Sequence, residues 1–220
     1  MLQTAFTELI GCEVPIQLAP MGTICTPELM AAVNDAGGMA MTGMPMAPAA
    51  VVADALDGLG ERVEGGFGFN VLIPFLDIEV VDVAAARCRL VDFYHGAVDG
   101  SLVDRVHAAG ALAGWQVGSV DDARAAAGAG CDLLVVRGTE GGGRMHGAQS
   151  LWPLLTAVLD AVDVPVVAPA ESPTVVGWLP HLPPAPRPSA WVRASSPLPN
   201  RVPIPNTRTR SSEPAPATRC

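Results

Sequence analysis

One pattern repeats through residue 168 and constrains the fold more than any other feature: a short apolar run, a turn marked by glycine or proline, and an alanine-rich stretch of helical character. Most of the apolar runs are continuously hydrophobic, as expected for parallel strands that are buried on both faces. Strands and helices that alternate at this spacing predict an α/β fold with a parallel sheet and crossover helices. The seven predicted strands are Pro15–Pro20, Met39–Thr42, Gly66–Leu72, Leu90–Phe93, Leu112–Val117, Leu133–Val136 and Val164–Ala168.

Start and stop signals predict helices between these strands. Thr26 can cap a helix that has Pro27 in its first position and stops at Gly37–Gly38. Ser119 can cap another helix, whose first turn carries two aspartates at the positive end of the helix dipole. Two further helices are predicted over Ser101–Ala109 and Leu151–Ala161.

Composition argues against several classes of protein. The sequence has no uninterrupted run of about eighteen apolar residues, so it predicts no membrane partner. The N-terminal stretch has no basic segment and carries Glu8 and Glu13, which does not fit a secretion signal. Five scattered cysteines, none in a CxxC pair, indicate reduced thiols in a cytoplasmic protein without a metal site. A net charge of −9 argues against nucleic acid as a partner.

From Pro169 the repeated pattern ends. Residues 169–220 contain 13 of the 21 prolines, a density that helices and central strands do not tolerate. They hold 6 arginines and 2 acidic residues, whereas residues 1–168 hold 7 arginines and 20 acidic residues. The sequence therefore predicts an α/β domain over 1–168 with seven strands, followed by a disordered, Pro- and Arg-rich tail over 169–220.

Four segments, in order along the chain, resemble the nitronate monooxygenase family, formerly called 2-nitropropane dioxygenases. They are VPIQLAPMGTICTPELMAAVNDAGGMAMTG, GFGFNVLIP, GWQVGSVDDARAAAGAGCDLLVVRGTEGGG, and LLTAVLDAV followed by DVPVVA. The resemblance covers about residues 1–168. It implies an FMN-dependent (β/α)₈ TIM barrel, with the flavin at the carboxyl ends of the strands.

The resemblance also implies a reaction. The expected activity is that of an oxidoreductase that oxidises a small alkyl nitronate with molecular oxygen, the flavin supplying the electron chemistry. Two alternatives stay open. The chain could resemble the flavin-dependent enoyl-ACP reductases, which would oxidise NAD(P)H and bind an acyl chain, or it could be a non-catalytic remnant of the family.

The resemblance assigns flavin contacts to the ends of three predicted strands. Pro20, Met21 and Gly22 follow the first strand, where the family packs main chain and methionine against the flavin. Asn70 ends the third strand and Gln116 ends the fifth, and both positions suit hydrogen bonds to the ring. A plain strand-ending turn, an Asx turn and an exposed glutamine are the structural alternatives at these places.

The loop Gly138–Gly147, GTEGGGRMHG, follows the sixth predicted strand. Its adjacent glycines, Gly142 and Gly143, would let main chain approach a flat cofactor or a phosphate closely. The family has a catalytic histidine where this chain has Arg144, and His146 lies two residues later. His146 could act as the base, Arg144 could bind an anionic substrate such as a nitronate, or the loop could have lost the proton-abstracting role. Both residues could also be plain surface residues.

Three more residues follow predicted strands at the barrel face where active sites lie. Arg137 stands where the family often has glutamine. Tyr94 and His95 follow the fourth strand and are candidates for the pocket, although a strand-end histidine is often only structural.

The tail departs from the family after the seventh strand. The family continues with Gly-Gly and Gly-Thr segments whose backbone N–H groups hold the FMN phosphate, but this chain reads Pro-Ala-Glu-Ser-Pro over residues 169–173. One set of codons for the family's Ala-Gly-Gly-Ile-Ala encodes that pentapeptide when it is read one nucleotide late. We therefore hypothesise a frameshift near codon 169. We expect an incomplete barrel without its eighth strand, open at the edges of the first and seventh strands, that binds FMN poorly and aggregates.

Overall fold

The computed structural model describes residues 3–141, 147–170 and 190–194. In this part of the chain the strands are β1 Ile16–Leu18, β2 Ala40–Thr42, β3 Phe67–Leu72, β4 Leu90–Tyr94, β5 Leu112–Val117, β6 Leu133–Val136, β7 Val166–Ala170 and β8 Ala190–Ala194. The helices are α1 Ala5–Ile10, α2 Pro27–Asp35, α3 Ala49–Gly60, α4 Ile78–Ala85, α5 Gly100–Ala108, α6 Val120–Gly128 and α7 Leu151–Ala161. Short 3₁₀ turns, Gly22–Ile24 and Ile73–Phe75, follow β1 and β3.

All the strand pairs are parallel, and the sheet order is β1-β8-β7-β6-β5-β4-β3-β2. β1 and β2 close the sheet, because Gln17 and Met39 form a parallel bridge and the Leu18 N–H donates to the Met39 carbonyl at 2.8 Å. The strands therefore form a ring, and the predicted TIM-barrel class is confirmed. All seven predicted strands are present, with bounds within two residues of those predicted.

The structure adds an eighth strand that the sequence did not predict. β8 lies in the segment predicted to be disordered, and it pairs with β7 on one side and with β1 on the other. Its sequence, AWVRA, belongs to a proline-free run, which can supply the backbone donors and acceptors that two open strand edges need. The expectation of exposed edges on β1 and β7 is therefore wrong. β7 also continues to Ala170, past the predicted domain boundary, while 171–189 and 195–220 lie outside the described residues.

The predicted capping residues are confirmed at two helices. At the start of α2 the Leu29 N–H donates to Thr26 Oγ1 at 3.3 Å, and at the start of α6 the Asp122 N–H donates to Ser119 Oγ at 3.0 Å. The sequence analysis missed α1, α3 and α4. In α4, three of the eight residues are valine, which favours strands by propensity, and tertiary packing overrides that preference. Within the described part, no helix is both long and apolar enough to span a membrane.

Side chains that alternate along the strands build two apolar layers. One layer packs against the helices and includes Phe93 and Trp115, whose rings stack with centroids 5.0 Å apart. The other layer fills the interior of the ring, where Phe6 and Ile10 of α1 join strand residues; the strand members are Met39, Met41, Leu90, Leu133, Val135 and Val167. Because Leu90 and Leu133 begin their strands, α1 covers the amino end of the barrel. The carboxyl end is the face where barrel active sites lie.

Candidate active site at the carboxyl ends of the strands

A buried carboxylate lies inside the barrel. Asp92, in the middle of β4, has 0% of its surface exposed. The side-chain amide of Asn70 in β3 donates to the Asp92 carbonyl oxygen at 3.0 Å and to its Oδ2 at 3.1 Å. Gln116 in β5 donates to the same Oδ2 at 2.5 Å. Because a buried polar group without hydrogen bonds is costly, these two amides stabilise the acidic side chain at this place.

Arg137 extends this network to the mouth of the barrel. It follows β6 directly, and its Nη1 donates to Oε1 of Gln116 at 3.3 Å. Its guanidinium carbon lies 4.8 Å from the centre of the Tyr94 ring, which is a cation–π geometry. Arg137 is partly exposed, whereas Gln116 is buried. The network therefore runs from a buried acidic side chain to a cation at the carboxyl end, and we refer to Asn70, Asp92, Gln116 and Arg137 as the polar network.

Glycines inside the strands make room for large neighbours in the barrel. A Cβ at Gly114 would lie 3.4 Å from Asp92 Oδ1 and 3.3 Å from Leu90 Cδ1. A Cβ at Gly68 would collide with the side chain of Met41 and approach that of Met39 to 3.0 Å. β3 and β5 therefore carry glycine where an inward-facing neighbour needs the space.

The structure brings two of the predicted flavin residues together. Asn70 and Gln116 hold the same carboxylate, but they differ in what they leave for a ligand. Both ends of the Gln116 amide contact protein groups, one on Asp92 and one on Arg137. Both hydrogen bonds of Asn70 use its nitrogen, so within the described part its Oδ1 stays available as an acceptor.

The other predicted flavin residues form the turn after β1. Gly22 has a φ of 56°, a left-handed conformation that favours glycine, and it begins the 3₁₀ turn. The Met21 N–H donates to Cys25 Sγ at 3.1 Å, and the Cys25 thiol donates to the Ala19 carbonyl at 3.2 Å. Met21 packs against the apolar layer that lies between the strands and the helices. Pro20 and its neighbours are thus held at a strand end of the carboxyl face by local contacts.

The glycine-rich loop is described only at its two ends. Gly142, Gly143, Arg144 and His146 lie outside the described residues, so their cofactor-binding and catalytic roles stay predictions. The base of the loop is closed by two hydrogen bonds: the Thr139 N–H donates to the Gln149 carbonyl at 2.9 Å, and the Leu151 N–H at the start of α7 donates to Glu140 Oε2 at 2.8 Å. These bonds fix where the loop leaves and rejoins the barrel.

The residue after β4 has an unusual backbone conformation. His95 has a φ of 69°, and a left-handed conformation costs a non-glycine residue about 1–2 kcal/mol. Its ring lies against that of Tyr94, with centroids 5.6 Å apart. Strained residues cluster at functional sites, and His95 lies at the carboxyl face, so it remains a candidate for the pocket.

A cleft of about 320 Å³ opens beside Asn70. It lies between the loop over residues 44–48, which follows β2, and the 3₁₀ turn that follows β3. Its lining is mostly apolar, and two of its side chains reach solvent: Met46 is 75% exposed and Phe75 is 37% exposed. Exposed apolar side chains around a cleft suit the apolar part of a ligand.

Two buried cysteines are not candidates for nucleophiles. Burial raises the pKa of the Cys88 thiol to about 12. Burial, together with the nearby charges of Asp132 and Asp92, raises the pKa of the Cys131 thiol to about 12. Both side chains therefore stay protonated and unreactive at neutral pH.

The described residues fit the ring of a flavin better than its phosphate. The acceptor oxygen of Asn70 and the cation of Arg137 are the kinds of group that bind the edge of a flavin ring. At the end of β7, by contrast, Pro169 has no N–H to donate to a phosphate. The described residues therefore fit FMN in part: they offer hydrogen-bonding and charged groups to its ring but not to its phosphate.

The sequence analysis missed Asp92 and Gln17. Gln17 in β1 is completely buried, and among the described residues neither polar atom of its side chain has a hydrogen-bond partner. Each of the two is the polar residue within an otherwise apolar predicted strand. That interruption is the signal that could have found them, since such residues are rarely buried without a reason.

Comparison with known proteins identifies relatives of this chain. Residues 73–170 match the model of the nitronate monooxygenase family. A carboxyl-CoA dehydrogenase from Rhodococcus jostii (strain RHA1), whose name specifies a hydroxy-methyl-oxo-octahydro-indene substrate, is 31% identical over 168 residues. That alignment covers 76% of this chain and 47% of the relative. A probable nitronate monooxygenase from Staphylococcus aureus (strain JH9) is 23% identical over 210 residues, covering 74% of this chain and 59% of the relative.

The fold has solved counterparts. FabK from Thermotoga maritima superposes with a TM-score of 0.78 at 24% identity, covering 88% of this chain and 61% of that one. This similarity concerns the fold alone. The chain spans about half the length of the dehydrogenase it matches.

Proposed function

We propose that the chain, whose residues 73–170 match the nitronate monooxygenase family, is a flavin-dependent oxidoreductase of that family and binds FMN at the carboxyl ends of its strands. The polar network is the observation that carries the proposal. A carboxylate with no exposure, held by amides from two neighbouring strands and linked to an arginine at the mouth, contributes little that an apolar core would not. Buried polar groups of this kind are typical of a ligand site.

The residues of the network would hold the flavin ring in the following way. Asn70 accepts a hydrogen bond from the ring through Oδ1, because Asp92 engages its nitrogen and so fixes the orientation of its amide. Gln116 orients Arg137 and Asp92, because its amide oxygen accepts from the one and its amide nitrogen donates to the other. FMN, when bound, accepts and returns two electrons. The protein excludes water below the ring with α1 and the apolar interior.

Titration of the full chain with FMN tests this proposal. We expect the Asn70→Ala variant to lose at least about tenfold in FMN affinity, since it removes an acceptor and frees the Asp92 carboxylate (roughly 1.4 kcal/mol per tenfold). Asn34→Ala is the matched control: Asn34 is an asparagine that bridges Glu64, Gly66 and Ala40 at the opposite end of the barrel. It should lower the melting temperature without changing the affinity of the folded protein. Equal FMN affinity in the wild type and Asn70→Ala would contradict the proposal.

For the substrate we favour an acyl-CoA thioester with a bulky apolar acyl group. The carboxyl-CoA dehydrogenase from Rhodococcus jostii is more similar to this chain than the probable nitronate monooxygenase from Staphylococcus aureus is, at 31% against 23% identity. The apolar cleft beside Asn70 offers about 320 Å³ for such a group. Arg144 in place of the family's catalytic histidine also departs from the expected nitronate chemistry.

Nitronate oxidation with molecular oxygen is the second candidate, favoured by the family match over residues 73–170. Mixing the FMN-loaded chain with each substrate class separates the two. Without oxygen, a thioester substrate should bleach the flavin absorbance by reducing the cofactor, whereas in air an alkyl nitronate should be consumed together with oxygen.

A substitution in the cleft sharpens the distinction. Met46→Glu should raise KM for a bulky thioester and leave that for a small nitronate unchanged, because only the former reaches the cleft. Val51→Glu on the exposed side of α3 is the matched control, since Val51 is 49% exposed. An equal effect of both variants would exclude the cleft from the substrate site.

A further inference from the structure

We propose that Arg137 stabilises the negative charge that a bound flavin acquires on reduction, and so raises the reduction potential of the cofactor. The inference rests on the proposed flavin site and goes beyond it, because it assigns an electronic role to a residue for which the family often has an uncharged glutamine. The chemistry on which it depends is the recognition of an anionic, planar group by a guanidinium.

The first argument is position. Arg137 comes directly after β6, so its backbone lies at the carboxyl end of that strand. Its side chain extends across the neighbouring strands, because Nη1 reaches Gln116 of β5 at 3.3 Å and the guanidinium carbon lies over Tyr94 of β4 at 4.8 Å from the ring centre. The cation therefore lies at the mouth of the barrel, above strands β4 to β6.

The second argument is the way in which the charge is held. The amide of Gln116 stands between Arg137 and the buried Asp92 and is hydrogen-bonded to each of them. Asp92 has 0% exposure and Arg137 is partly exposed, so the positive end of this arrangement faces the mouth. A charge that is held in place and partly shielded from water acts more strongly on a neighbouring group than the same charge on a fully solvated side chain.

The third argument is the ligand that meets this charge. Reduction places negative charge on the pyrimidine part of a flavin ring, and a protein cation near that part tunes the electronics of the cofactor. Asn70, which contacts the ring in the proposed site, is tied to Arg137 through Asp92 and Gln116. The network therefore presents its acceptor and its cation to the same ligand.

The test compares the affinities of oxidised and reduced FMN in the wild type, Arg137→Gln and Arg137→Lys. Arg137→Gln should weaken reduced FMN at least about tenfold more than oxidised FMN, which corresponds to a fall of about 30 mV in the two-electron potential. Arg137→Lys keeps the charge and should retain most of the difference even if loss of the ring stacking lowers stability. Arg124→Gln is the matched control for net charge, since its side chain is 63% exposed on the outer surface.

Each outcome decides the matter. Preferential loss of reduced FMN in Arg137→Gln, with Arg124→Gln unchanged, supports the proposal. Equal loss of both redox forms, or an effect on substrate affinity alone, overturns it while leaving the proposed flavin site intact. A wild-type chain that binds neither form of FMN overturns the proposed function and this inference together.

Discussion

The two ends of the barrel interior differ in chemistry although the same strands build both. At the amino end, Phe6 and Ile10 of α1 pack onto the leucines that begin β4 and β6. Toward the carboxyl end the same strands carry Asp92 and, just after β6, Arg137. The interior thus changes from an apolar seal to a charged network within the length of a strand.

The difference shows how the barrel divides its tasks. Burying apolar area stabilises the fold at roughly 25 cal/mol per Å², and the amino end uses this term almost alone. The carboxyl end contains buried polar groups that an apolar core would match or exceed in stability. Substitutions at the amino end should therefore change stability without changing ligand binding, whereas substitutions in the polar network should change ligand binding.

The largest effect is expected at the amino end. Phe6→Ala removes a fully buried ring from the seal, and we expect it to lower the free energy of unfolding by about 3–5 kcal/mol. Denaturant unfolding followed by circular dichroism measures the loss. Phe75→Ala, at a ring that is 37% exposed beside the cleft, is the control and should cost far less. A large loss of FMN affinity in folded Phe6→Ala would contradict the proposal that the amino end serves stability and the carboxyl end serves ligand binding.

Gln17 lies inside the barrel, and its buried amide has no hydrogen-bond partner among the described residues. Gln17→Met keeps the shape and removes the desolvated polar atoms, so it should raise the free energy of unfolding by about 1–3 kcal/mol. Gln17→Glu should lower it, since a charge would replace the amide. If Gln17→Met instead destabilises the chain, the Gln17 amide makes a polar contact. The polar part of the barrel interior would then extend from the carboxyl end as far as Gln17.

The sequence predicts the strands well and the site only in part. Continuous apolar runs such as Leu112–Val117 and Leu133–Val136 are found with the predicted bounds, because burial on both faces leaves a strong local signal. Asn70 lies two residues before the end of β3 and Gln116 one residue before the end of β5, so neither closes its strand as predicted. Their partner Asp92 was missed: its place in an apolar run marks it as unusual, but the run does not show which strands will surround it.

The tail shows the opposite limit. Proline density predicted disorder for the whole of residues 169–220, and for Ala190–Ala194 this is wrong. Pairing of a strand depends on the edges available to it, and one of those edges belongs to β1, far away in sequence. Composition averages over the segment and cannot report a short run that meets such edges.

A gain in stability is expected at the carboxyl end from His95→Gly. Glycine adopts a φ of 69° without strain, which favours the folded state. The loss of side-chain contacts and the greater entropy of glycine in the unfolded chain oppose this gain, so the net stabilisation should be at most about 1 kcal/mol. Thermal unfolding measures it. If the strain serves the site, FMN-dependent turnover should fall in the same variant. A variant that is more stable and equally active would show that His95 is only structural.

The smallest effect is expected at the base of the glycine-rich loop. Burial raises the pKa of Glu140, but hydrogen bonds from Leu151, Ser150 and Thr139 lower it more, so the net pKa lies below its ordinary value. A carboxyl whose folded pKa is lowered stabilises the fold above its unfolded pKa, and this contribution is lost as the pH falls through the folded pKa. Glu140→Gln should therefore cost about 0.3–1 kcal/mol near neutral pH, through the weaker interaction with the start of α7, and almost nothing in acid below both values.

Thermal unfolding of the wild type and Glu140→Gln at neutral and acidic pH measures that difference. A loss that is the same at both pH values would mean that Glu140 acts through packing and not through its charge. In that case the loop would be closed only by the bond between Thr139 and Gln149. The carboxyl end would then use charge inside the barrel, in the polar network, but not at the loop that borders it.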